Sequence, residues 1–235
     1  MNEKTKKGLR KSGIIYILRI HLSLVLVAVI FFISAGRIDI PRAWAFFAAG
    51  FIYYPVSTAI LYKKNPELIN QRGEKKQDTE SWDRILMPVY FVLGYYMLAA
   101  VVGLDVGRFL WSHLDIHFLV VGFLPYSAGT ILNTWAMVAN PHFEALVRIQ
   151  KDRDHKVITT GPYKIVRHPG YLAGVLWTVS VPLIIGSLVG LIPVGIALFL
   201  LGMRTWLEDE TLQKELAGYS EYAKKVRYRL FPGIW

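Results

Sequence analysis

The feature that most constrains this chain is a series of long runs without a single Asp, Glu, Lys or Arg. Ala43–Tyr62, Ile85–Leu104 and Ile116–Ala139 are each free of all four. A helix needs about 20 apolar residues to cross a bilayer, and each of these runs supplies them. Gly13–Gly36 is a weaker candidate, because Arg19 and His21 fall near its start. Tyr171–Met203 is a longer uncharged run. As one straight helix it would reach roughly 50 Å, against a hydrocarbon core of about 30 Å. A tight helical hairpin turning near Gly186 and Ser187 removes the mismatch, with Pro182 and Pro193 bending its arms. The expected fold is an all-α, polytopic membrane protein with about six hydrophobic helical segments, the last two forming the hairpin.

Charge placement sets the orientation. The 235 residues carry a net charge of +10. With an even number of crossings both termini share one side. Nearly all lysines and arginines fall on that side: before the first span, in 63–84, in 140–169, and from Arg204 onward. The opposite side keeps Arg37, Arg42 and Arg108. By the positive-inside rule both termini are cytoplasmic. The basic balance reflects topology and membrane lipids with anionic headgroups, and gives no argument for a nucleic-acid partner. The absence of cysteine excludes disulfides, thiolate metal sites and a cysteine nucleophile. The first hydrophobic segment lacks the small-residue cleavage site of a signal peptide. With no internal repeat or linker, the chain is expected to form a single membrane domain over 1–235, divided into N-terminal spans (1–115) and a core (116–235).

One polar stretch stands out at the mouth of the hairpin: GPYKIVRHPGYLAG, residues 161–174. Pro169 disfavours helical geometry at His168, so 159–170 is expected to be an ordered loop at the membrane boundary. Irregular backbone at that depth is tolerated where protein buries it or where it lines a cavity. It could offer free peptide groups, with Tyr163, Arg167, His168 and Tyr171, to a polar ligand. The same composition also suits a plain boundary loop, its tyrosines in the interfacial belt and Arg167 on lipid phosphate. At the far end of the hairpin, RTWLEDE (204–210) puts Arg204 and Glu208 on one helix face. They could be a snorkelling arginine and its neighbour. Alternatively, the hairpin returns residues 171 and 204 to one membrane face, where His168, Tyr171, Arg204 and Glu208 form one cytoplasmic site. There arginine would clamp a carboxylate or phosphate, and glutamate would take hydroxyls or an ammonium.

Other candidates carry less. His113, Asp115 and His117 alternate like metal ligands, but they occupy a short loop opposite the basic side, and no metal is expected. Asn133 is expected to bond a neighbouring helix. The 71–84 loop is long enough to cap a site but more often such a loop is simply solvated, and Tyr219, Tyr222, Tyr228 and Trp235 read as an interfacial tail. P-loop, dinucleotide and GxSxG motifs are absent.

HKVITTGPYKIVRHPGY (155–171), an apolar hairpin, and R-x-x-x-E-D (204–209) together resemble the isoprenylcysteine carboxyl methyltransferase family. Membrane methyltransferases that modify phospholipid amines share part of the pattern. The resemblance covers about 133–235, while the first three segments carry no recognised motif. VRIQKDRDH (147–155) and residues 216–235 are similar to the family's bacterial and archaeal branch.

The resemblance implies S-adenosylmethionine as methyl donor and makes 116–235 the methyltransferase core. It implies cofactor contacts from Gln150, His155, Lys156, Val157, Ile158, Tyr163, His168, Pro169, Gly170, Tyr171 and Glu208. Arg204 would hold the methyl acceptor, so Arg204 and Glu208 are the candidate catalytic pair. The implied acceptor is lipophilic and arrives from the bilayer, an isoprenylcysteine-like carboxylate first. For an amine or thiol, His155 or Glu208 would have to act as base. Positions 208–209 read Glu-Asp where much of the family has two glutamates, and Glu144 adds a negative charge near the site. Alternatives are a phospholipid or other lipophilic amine or thiol methyltransferase, a sterol-reductase-like NADPH enzyme, and a transporter or scaffold without catalysis.

Overall fold

The computed structural model describes residues 8–74, 76 and 78–235, so residues 1–7 and, within the 71–84 loop, Lys75 and Gln77 lie outside it. The described residues form helices and connecting segments, with no strand among them. Helices α1 (Lys11–Ala35) and α2 (Pro41–Lys64) are followed by the short α3 (Pro66–Arg72). Helices α4 (Asp83–Phe91) and α5 (Leu98–Gly103) are joined by a π-helical turn at Val92–Met97, and a second such turn, Leu104–Phe109, completes a continuous 27-residue rod from Asp83. Then come α6 (His117–Ala139), α7 (Pro169–Ile185), α8 (Leu191–Glu215) and α9 (Tyr219–Lys225).

Proline opens α2, α3 and α7. In the first turn its missing N–H has no helical acceptor to lose. Among the described residues, four helices are long and apolar enough to cross a membrane: α1, α2, the Asp83–Phe109 rod and α8. The apolar α7 is shorter, at 17 residues. Helix α1, expected to be the weaker span, contains the most apolar window of the four. Its Leu22 and Ile33 project outward, as do Ile52 on α2 and Phe199 on α8. Apolar exposure on this scale marks a surface that meets hydrocarbon.

The main core lies between α1, α2, α5 and the ends of α7 and α8, around Phe31, Phe47, Val102, Ile184 and Val194. Helices α6 and α7 run closely together; a Cβ at Gly122 would stand 2.6 Å from the Ile184 backbone nitrogen. Asn133 of α6 donates to the Tyr53 hydroxyl of α2 at 3.0 Å, the interhelical bond its sequence position suggested. Helix α7 stops at Gly186, where φ is 99°. Arg42 of α2 caps that end by donating from Nε to Ile184 O at 2.8 Å, and its Nη1 donates to Leu114 O, in the segment before α6, at 2.8 Å. Beside it, buried Asp105 accepts hydrogen bonds from the Ser112 hydroxyl at 2.6 Å and the Ser187 hydroxyl at 2.5 Å. These bonds pin the connection from α7 to α8.

One detail of that connection differs from expectation. Pro193 does not bend an arm: it sits in the first turn of α8, where proline is accommodated. As the shared face of Arg204 and Glu208 requires, α8 does not end with the apolar run. It continues through Arg204 to Glu215, and its last turns carry the polar side chains of the site.

Candidate functional site

A partly open cavity lies where the start of α7 meets the polar half of α8 and the 140–158 segment. One wall is the proline-rich loop, which makes a 3-10 turn at Gly161–Lys164 before α7 begins. The C-terminal segment holds this loop in place: Arg167 N donates to Tyr228 O at 2.9 Å, and His168 N donates to Arg229 O at 3.0 Å.

Asp209 fixes the same region from α8. Fully buried, its Oδ1 accepts from His168 Nε2 at 3.1 Å and from the Tyr219 hydroxyl at 2.9 Å. Its Oδ2 accepts from Arg229 Nε at 2.9 Å and lies 3.2 Å from Arg167 Nη1. Tyr222 donates to Tyr163 O at 2.7 Å. Tyr219 and Tyr222 are therefore not an interfacial tail; both are buried, because the interior provides acceptors for their hydroxyls and packs their rings with Tyr163 and Leu216. Tyr228 and Trp235 remain partly exposed.

Arg204 is buried, and its partner is not Glu208. Its Nε donates to Asp83 Oδ1 at 2.7 Å and its Nη2 to Asp83 Oδ2 at 2.9 Å, with a further bond from Nη2 to Ala145 O at 2.7 Å. Asp83 Oδ2 also accepts from Val147 N at 2.7 Å. Glu208 instead accepts the Tyr171 hydroxyl, while the Arg204 guanidinium lies 5.0 Å over the Tyr171 ring. The loop read as solvated thus ends in buried Thr79 and Asp83. A carboxylate at a helix start can be drawn inward when an arginine there offers two donors.

The opposite wall is residues 155–158, which have no regular secondary structure. Among the described residues, the peptide groups of Lys156, Val157 and Ile158 have no hydrogen-bond partner, which leaves an open backbone edge. His155 accepts from Gln150 N through Nδ1 at 3.3 Å. Burial, with help from His142, Arg148 and Arg153, pushes its pKa down to about 4, so the ring is neutral at physiological pH. Burial also lowers the pKa of His142, whose ring lies 4.5 Å from that of His155. Burial raises the Tyr163 hydroxyl above its usual range, and Asn140 Nδ2 donates to it at 3.0 Å.

Of the residues singled out in the sequence, His155, Lys156, Val157, Ile158, Tyr163, His168, Pro169, Gly170, Tyr171, Arg204 and Glu208 line this one cavity. Gln150 does not. It is buried behind the wall, donating to His142 O at 2.7 Å and accepting from Arg153 Nη1 at 2.8 Å. Glu144 does line the cavity, but Arg148 Nε lies 2.8 Å from its carboxylate, so its charge is compensated. Phe143, Arg148 and Tyr219 also line the site without having been anticipated there. Away from the cavity, exposed Asp115 and His117 bond each other where α6 begins. Among the described residues, no group of three His, Cys, Asp or Glu side chains could hold a metal ion.

An all-helical, membrane-embedded chain with a polar cavity at the ends of its last two long helices is the class defined by this geometry. Residues 120–214 match the isoprenylcysteine carboxyl methyltransferase (ICMT) family, the family to which the 155–171 and 204–209 motifs pointed. A probable protein-S-isoprenylcysteine O-methyltransferase of Oryza sativa subsp. indica is 28% identical over 109 residues, covering 45% of this chain and 57% of the relative. Protein-S-isoprenylcysteine O-methyltransferase B of Arabidopsis thaliana is 29% identical over 101 residues, 42% of this chain and 51% of the relative. The Dictyostelium discoideum protein-S-isoprenylcysteine O-methyltransferase is 31% identical over 117 residues, 48% of this chain and 49% of the relative. The matched stretch spans about half the length of these curated relatives.

Proposed function

We propose that this protein is an S-adenosylmethionine-dependent methyltransferase acting on the carboxylate of a lipophilic, isoprenylcysteine-like acceptor. The observation that carries the reading is one cavity in which Arg204 and Glu208 face the open peptide edge of 156–158. The residues present fit the donor. The peptide edge offers donors and acceptors to a purine ring, Glu208 attracts a cationic group, and the buried Nε of Arg167 lacks a partner. When bound, the donor supplies an activated methyl group that a carboxylate oxygen accepts without any proton transfer.

The chain's own residues then act by placement. Asp209 orients His168 and Arg167, and the Tyr171–Glu208 hydrogen bond joins α7 to α8 across the cavity. Alignment of this kind can lower a displacement barrier by several kcal/mol, up to about 7–11. The Tyr171 ring is already engaged by Arg204 at 5.0 Å and stacked with His168 at 5.5 Å, so its role is to space these groups. With its pKa pushed down to about 4, His155 is a poor base for an ammonium, which would leave Glu208 to take that proton from an amine acceptor; a carboxylate acceptor needs no base.

In the membrane we place six helical segments, α7 and α8 forming the hairpin, with both termini and the cavity on the cytoplasmic side. The N-terminal spans lie in 1–115 and the methyltransferase core in 116–235. The acceptor enters from the bilayer with its tail between helices. Calorimetric titration of the detergent-purified protein with S-adenosylmethionine, S-adenosylhomocysteine and NADPH tests the donor. Saturable binding of both adenosyl compounds and none of NADPH is expected; the reverse overturns the reading and favours a reductase.

A further inference from the structure

Arg204 and its partner come from different parts of the chain. Asp83 opens α4 and lies outside the matched family segment, whereas Arg204 lies inside it. The carboxylate takes Nε and Nη2 of Arg204 together, the edge with which arginine normally grips a carboxylate in bidentate fashion. Ala145 O takes Nη2 again. Of the three guanidinium nitrogens of Arg204, Nη1 is the one without a hydrogen-bond partner among the described residues, and Arg204 lines the cavity.

We infer that Asp83 is a positioning residue that restricts Arg204 to a single-nitrogen contact with the acceptor carboxylate. The inference rests on the methyl-transfer reading above. Its chemical sense follows from the needs of the nucleophile. A bidentate arginine would hold both carboxylate oxygens and draw charge from both. A contact through Nη1 holds one oxygen and leaves the other free to attack. Asp83 also accepts from Val147 N, so the same carboxylate sets the guanidinium against the 144–148 wall of the cavity. Neither partner can turn away at low cost, since Arg204 and Asp83 are both buried and a broken pair would strand a charge.

Two variants test this in the full-length protein. Asp83→Asn weakens the hold on the bidentate edge, and Asp83→Glu keeps the charge but moves it by one methylene. The acceptor probe is N-acetyl-S-farnesylcysteine. Its binding is measured calorimetrically in the presence of S-adenosylhomocysteine, alongside kcat and KM with S-adenosylmethionine. Asp83→Asn is expected to bind the probe about threefold more tightly while kcat falls at least about tenfold, opposite movements that loss of fold does not produce. Asp83→Glu is expected to keep the wild-type affinity for S-adenosylhomocysteine yet not recover kcat. If Asp83→Asn does not fold, Asp83→Glu decides. Full rescue by glutamate, or parallel losses in binding and turnover, would reduce Asp83 to charge compensation and overturn the inference alone. A folded wild-type protein that binds neither adenosyl compound would overturn the methyl-transfer reading, and this inference with it.

Discussion

The two halves of this molecule solve different problems with the same kind of helix. In α1 and α2 the large apolar side chains Leu22, Ile33 and Ile52 face outward, and few polar groups are buried. From α6 onward the helices also carry outward apolar side chains, such as Ile131 and Phe199, but their polar ends converge on buried Arg167, His168, Arg204 and Asp209. The first half resembles a solvent-matched scaffold, and the second a site whose polar groups are almost all satisfied. The family match falls in the second half, at 120–214. Yet the scaffold contributes a decisive group, because Asp83 crosses from one region to the other. A functional boundary drawn where sequence similarity stops would miss it.

The sharpest test of the comparison is Arg204→Ala, which removes the cation at the site. Turnover should fall at least about 100-fold, the scale of losing one charge-placing donor, while S-adenosylmethionine affinity stays within a few-fold. Loss of donor binding in folded protein would reassign Arg204 to the donor. Asp209→Ala should come next. It strands Arg167 and Arg229 and frees His168, so about 3–5 kcal/mol of stability should be lost together with donor binding. Unchanged thermal unfolding would deny Asp209 its role as the anchor of the loop.

Gly122→Val tests the packing of α6 on α7 within the second half. Overpacking against the Ile184 backbone should cost about 1–3 kcal/mol, seen as a lowered unfolding temperature. A smaller effect comes from His155. Its pKa is lowered from 6.5 to about 4 on folding, so the folded protein binds fewer protons between those values. Its contribution to stability is complete above about pH 6.5 and fades as pH falls toward 4. His155→Asn should lessen the fall of the unfolding temperature across that window, leaving the part that belongs to His142; an unchanged slope would contradict the neutral ring. The smallest effect belongs to the scaffold surface: Leu22→Ala, on a side chain 68% exposed, should shift stability by no more than about 0.5 kcal/mol.

Much of the site was legible in local sequence. Pro162 and Pro169 announce an ordered loop, and the i,i+4 spacing of Arg204 and Glu208 places both on the face that lines the cavity. The contacts between distant segments were not legible. Asp83 sits 121 positions from Arg204, and nothing near Asp83 distinguishes it from the acidic residues of a solvated loop. Tyr219 and Tyr222, interleaved with lysines, carry the composition of an interfacial belt; only the packed structure reveals Asp209 Oδ1 and Tyr163 O as their acceptors. Gln150 shows the converse: the resemblance implies a cofactor contact, and in the fold it lies behind the cavity wall, bonded to His142 and Arg153.

The most direct test of the account is transfer of labelled methyl from S-adenosylmethionine to N-acetyl-S-farnesylcysteine, with the amide of the same compound as control. The account predicts label that is released by mild alkali, as a methyl ester is, and none on the amide. Equal labelling of the amide, alkali-stable label, or no label from folded protein that binds the donor would contradict it.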